Sequence, residues 1–112
     1  MTPKNRLVIE YVDERGVRPF QRWFDDIDLH AARRVSGAIA KIEYGNDGAV
    51  KGLGDGICEI KIDWGPGYRV YFGFDGATLV VLVGGGTKKR QDQDIRTAKA
   101  YWLDYKRSKQ KD

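Results

Sequence analysis

Between Ile57 and Val83 the chain switches to a two-residue apolar repeat broken by turn residues, and this stretch constrains the fold more than any other. Ile57 to Ile62 reads as a strand, and Asp63-Trp64-Gly65-Pro66-Gly67 returns the chain into a second strand, Tyr68 to Phe74. Asp75-Gly76 turns it again into Thr78 to Val83, an unbroken apolar run suited to a central strand covered on both faces. Upstream the period is helical. Pro19 opens a first helix carrying Phe20, Trp23, Phe24 and Ile27, and Asp28 can cap a second whose face is Ala32, Val35, Ile39 and Ile42, ending at Tyr44 before Gly45-Asn46. Arg6 to Val12 is β-branched enough for a strand. A last helix from about Gln91 to Lys106 aligns Ile95, Ala98, Trp102 and Tyr105. Gly45 to Gly56, with five glycines in twelve residues, reads as a connector within one domain. The predicted order is β-α-α-β-β-β-α, an α+β domain with a small, mostly antiparallel sheet packed against helices.

A length of 112 residues fits a single domain, spanning residues 1–112. With 41% hydrophobic and 32% charged residues, neither a disordered tail nor a membrane protein is expected, and the longest apolar run, Leu79 to Val83, is far too short to span a bilayer. Leu7, Val8 and Ile9 are followed at once by Glu10, so no secretion signal is expected and the cytoplasm is the expected compartment. The single cysteine, Cys58, has no disulfide partner and no CxxC or Cys/His companion, so no structural metal is expected. Residues 1–56 balance nine Lys and Arg against nine Asp and Glu, whereas residues 57–112 hold eleven against seven. The whole net charge of +4 therefore lies in the second half, which suits a polyanionic partner.

Strand alternation sorts the side chains by face. Tyr68, Val70, Phe72 and Phe74 form one apolar set and Cys58, Ile60 and Ile62 another, leaving Glu59, Lys61, Arg69 and Tyr71 together on an opposite, open face. A solvated face on which Glu59 pairs with Lys61 or Arg69 would account for that pattern alone. It would not account for the cations just beyond Gly84-Gly85-Gly86, because Lys88-Lys89-Arg90 stand where a helix begins, against its macrodipole. Backbone N–H groups and basic side chains at that point suit phosphate. Gly45 to Gly56 is no Walker loop, because Lys51 is followed by Gly52 and the stretch precedes a strand. His30, the only histidine, is expected at the surface and remote from the basic face. Trp23, Trp102 and Tyr105 read as core, and Cys58 as inert.

The segment Gly65-Pro-Gly-Tyr-Arg-Val-Tyr-Phe72, with Leu79 to Gly86 and Lys88-x-x-Gln91-x-x-Asp94-Ile95, resembles the addiction-module killer branch of the RelE/ParE toxins, whose HigB-like members are similar. The likeness extends over nearly the whole chain and includes Arg22-Trp23-Phe24 and Gly48-x-Val-Lys51. One departure is local: where that branch carries GGDKSTQ, this chain has Gly85-Gly86-Thr87-Lys88-Lys89-Arg90-Gln91, losing one acid and gaining two cations.

The resemblance implies a toxin held in check by a cognate antitoxin, often a helix-turn-helix protein. RelE-like members enter the ribosome and cleave bound mRNA, and ParE-like members block DNA gyrase without nuclease chemistry. Cleavage of this kind needs no metal or other cofactor, because the RNA 2′-OH attacks its own phosphate. Arg69 would clamp the phosphorane, since a guanidinium engages two oxygens and keeps its proton. Lys61 or Lys51 would serve as base and Lys88 or Tyr71 as acid. Lys89, Arg90 and Gln91, with Lys51, would hold RNA.

Overall fold

The computed structural model describes residues 6–110. Its elements are β1 (Leu7–Glu10), α1 (Pro19–Asp26), α2 (Leu29–Glu43), β2 (Val50–Gly54), β3 (Ile57–Ile62), β4 (Tyr68–Asp75), β5 (Leu79–Thr87), a 3-10 turn (Lys88–Arg90) and α3 (Gln91–Gln110). The five strands form one mixed sheet in the order β1-β5-β4-β3-β2. Only the β1–β5 pairing is parallel, so the sheet is mostly antiparallel. The α+β class and the packing of this sheet against three helices follow the pattern read from the sequence.

Local chemistry explains the helix boundaries. Pro19 sits in the first turn of α1, where its missing N–H costs nothing. Asp28 caps α2, its carboxylate accepting from the His30 N–H at 2.9 Å and the Ala31 N–H at 3.3 Å. These two helices cover one sheet face through Phe20, Ala31, Val35 and Ile42, which pack on Ile60, Val70, Phe72, Val80 and Leu82. On the other face α3 brings Ala98 and Trp102 against Ile57, Tyr71, Val81 and Val83. No helix among the described residues is long and apolar enough to cross a membrane.

Two expectations are corrected. Gly45 to Gly56 is not merely a connector, because Val50–Gly54 pairs with β3 as an edge strand. Gly54 lies opposite Ile57, and the two residues between, Asp55 and Gly56, take φ values of 56° and 83°. Those positive values belong to a two-residue hairpin turn, for which Asp-Gly is a preferred pair. The face carrying Glu59, Arg69 and Tyr71 is also not open. Helix α3 covers it, so these three residues are buried. The last strand runs through the glycines to Thr87, and α3 extends to Gln110.

The far end of α3 is clasped to the sheet. Asp75, at the end of β4, accepts from the Tyr105 hydroxyl at 2.7 Å and from the Lys109 ammonium. Lys109 and Tyr105 hold its carboxyl below the usual carboxylate range. A carboxylate depressed by folding stabilises the fold above its unfolded pKa, and that contribution disappears as pH falls through the lower folded value. Thermal melts taken downward from about pH 4 are expected to show a shallower loss of stability in Asp75→Asn than in the native chain. Parallel acid limbs would exclude the clasp as a contributor.

Candidate functional site

The register of the meander builds the site. Lys61 lies opposite Arg69, and Arg69 opposite Gly86, so one row crosses β3, β4 and β5 on the α3 side of the sheet. Lys88 stands two residues beyond Gly86, where β5 gives way to the 3-10 turn. Together with Asp63, Trp64 and the Gly65-Pro66-Gly67 turn, Lys61, Arg69 and Lys88 line a cleft of about 310 Å³. Three cations predicted to act on phosphate are thus brought to one place.

Arg69 is the unusual member. Its side chain is 6% exposed and its Nε lies 3.8 Å from an oxygen of Glu59, which is equally buried. Among the described residues neither its Nε nor its Nη1 has a hydrogen-bond acceptor. A buried guanidinium normally satisfies its fork of donors, because each unmatched N–H forfeits its hydration. Glu59 is engaged elsewhere as well, accepting from the Gln91 side chain at 3.2 Å. Gln91, expected to hold RNA, therefore spends its amide on fixing the start of α3 to β3. Lys61 is exposed at the rim and pairs with Asp63 at 3.2 Å.

Tyr71 does not join this cleft. It lies one row further along, opposite Glu59 and Gly84, and forms part of a separate cavity of about 160 Å³ beneath α3, with Asp94 and Tyr101. Its hydroxyl is buried without a partner among the described residues. Burial, reinforced by Glu59 and Asp94, pushes the phenol well above its ordinary value, so the group holds its proton tightly. Burial raises the Asp94 carboxyl too. Lys51 sits on the edge strand β2 opposite Glu59 and lines neither cavity.

A second basic surface adjoins the first. Lys88, Lys89, Arg90 and Gln91 line a shallow cleft of about 440 Å³ with Arg96, a residue that no sequence pattern singled out. Lys88 borders both clefts, and the acids Asp63 and Asp92 stand among the cations that line them. Arg96 lies one turn after Asp92 on α3.

No family model matches the chain. A protein of Haemophilus influenzae, described as uncharacterized, is 41% identical over 81 residues, which cover 71% of this chain and 82% of that protein. The chain belongs to that protein's family.

His30, expected to lie far from the basic face, is beside it. Its ring centroid is 6.2 Å from that of Trp64, which lines the Arg69 cleft. The direction in which α2 crosses the sheet brings its first turn to the β3–β4 turn, and no local periodicity encodes that direction. Arg34, one turn further along α2, stacks its guanidinium 5.2 Å from the centre of the Trp64 ring.

Proposed function

We propose that this chain is the toxin of a type II toxin–antitoxin pair with the RelE/ParE toxin fold, acting as a metal-independent endoribonuclease on ribosome-bound mRNA. The observation that carries the reading is the convergence of Arg69, Lys61 and Lys88 on the wall of one cleft. A phosphate in this cleft would meet three cations, whose charge Glu59 and Asp63 offset only in part. In the reaction the 2′-oxygen bonds to phosphorus as the P–O5′ bond breaks, leaving a 2′,3′-cyclic phosphate and a 5′-OH. One side chain takes the 2′-OH proton and another delivers a proton to the departing oxygen. Lys61 and Lys88, lining the cleft, are assigned these two roles, and Arg69 holds the phosphorane oxygens. The basic run Lys88, Lys89, Arg90 and Arg96 carries the flanking backbone.

Purified chain added to programmed ribosomes is expected to cut mRNA with those termini in EDTA-tolerant fashion once ribosome integrity is controlled for, and in a separate assay to leave gyrase supercoiling unchanged. Intact mRNA together with blocked supercoiling would replace this reading with the ParE-like one. Reversing Lys88, Lys89 and Arg90 to Glu is expected to weaken ribosome binding by tenfold or more. It should also lower the slope of log affinity against log salt by about 2, given roughly 0.7 per single-strand phosphate contact. An unchanged slope would remove these residues from the interface.

A further inference from the structure

Trp64 is the aromatic side chain of the cleft, and besides lining it the residue packs against the core on the α1 and α2 side of the sheet. The turn is closed by its backbone, the Trp64 N–H reaching the Ile62 carbonyl at 3.0 Å and the Gly67 N–H reaching the Trp64 carbonyl at 3.1 Å. Gly65 and Gly67 supply φ values of 57° and 80°, and Pro66 stiffens the segment between them. The indole is half-buried and held in place from several directions. Arg34 stacks on it, His30 packs at 45° to it, and Tyr68 lies nearly parallel at 6.4 Å between centroids. An indole so restrained has little rotamer freedom left to lose on binding.

We propose that Trp64 is a stacking platform for one base of a single-stranded purine ribonucleotide whose phosphate sits at Arg69. This rests on the phosphate reading of the cleft given above and adds the nucleobase to it. A flat ring beside a phosphate-sized cluster of cations matches the two halves of a nucleotide, a π-face and an anion. Only an unpaired strand offers a free base face, and a purine covers more of an indole than a pyrimidine does. An acidic peptide would be drawn to the same cations and would gain nothing from the indole.

The test compares ribose 5-phosphate, adenosine 5′-monophosphate and a hexaglutamate peptide by calorimetric titration of the full chain. The indole N–H resonance of Trp64 is assigned with Trp64→Phe. The nucleotide is expected to bind roughly tenfold more tightly than the sugar phosphate and to move that resonance. The advantage should vanish in Trp64→Ala, persist in part in Trp64→Phe, and leave sugar-phosphate binding within twofold of the native value. Sugar phosphate that binds in an Arg69-dependent way without any gain from the base would overturn the platform and leave the phosphate site standing. Failure of both ligands to bind would remove the phosphate site and the platform with it. Hexaglutamate binding as sensitive to Trp64→Ala as nucleotide binding would assign the indole to a protein partner instead.

Discussion

Arg69→Ala is expected to abolish growth arrest and RNA cleavage, and it is also expected to weaken the fold. Strand parity alone puts this side chain on an open face, where truncation would leave the structure intact. Its burial beside Glu59 changes that expectation. Removing one partner of a buried ion pair leaves the other charge uncompensated, at a cost of about 3–5 kcal/mol. The cost should lie toward the lower end because Gln91 still donates to Glu59. Adding Glu59→Gln to Arg69→Ala removes the stranded charge and should restore much of the stability without restoring cleavage. Arg69→Lys keeps the charge and loses the two-pronged geometry, so it should fold better than Arg69→Ala and recover little activity. The measurements are urea midpoints and cleavage of mRNA on programmed ribosomes. Full activity in the stable double variant would exclude Arg69 from the chemistry.

The second large effect concerns stability and discriminates among glycines. A Cβ on Gly73 would lie 2.6 Å from two atoms of the Trp102 ring, and one on Gly85 would collide with the ring of Trp23. Trp102 is buried under α3 and cannot retreat without opening the core it anchors. Gly73→Ala and Gly85→Ala are therefore each expected to cost about 3 kcal/mol, the upper end of ordinary overpacking. Gly84, next in line to Gly85, has nothing within 4 Å of its Cβ position. Gly84→Ala should change stability by less than about 1 kcal/mol, because the added methyl meets no neighbour and the unfolded chain loses some freedom. Urea denaturation with an unchanged m-value would report this contrast directly. Equal effects at Gly84 and Gly85 would show that the run is needed for backbone freedom and not for aromatic clearance.

The row containing Lys61 and Arg69 is legible in the sequence because a strand fixes the side of each residue by parity alone, and the turn between β3 and β4 fixes their register. Burial of Glu59, Arg69 and Tyr71 on that face is not legible from parity, although its cause is present in the sequence. The stripe Ile95, Ala98, Trp102 and Tyr105 on α3 needs a sheet face, and with α1 and α2 on one side only the face of Arg69 and Tyr71 remains. Strand β2 is hidden because Gly52 and Gly54 contribute no side chains to an alternation, while the Asp55-Gly56 hairpin signal is lost within a glycine-rich stretch. Tyr71 falls in with Lys61 and Arg69 because parity gives the face of a residue and says nothing about how far along the strand a helix begins to cover it.

The parallel pairing of β1 with β5 sets an order of assembly. Leu7 meets Leu79 across most of the sequence, whereas every contact within the β3–β4–β5 meander joins neighbours through short turns. Closing a loop of that length is entropically slow compared with zipping adjacent hairpins. The wall that bears Lys61, Arg69 and Lys88 is therefore a local product of the meander, and its hairpins are expected to zip before β1 is recruited to the sheet. Changes at the β1–β5 seam should then alter how quickly and how firmly the domain closes, while the spacing of the three cations stays as the hairpins set it.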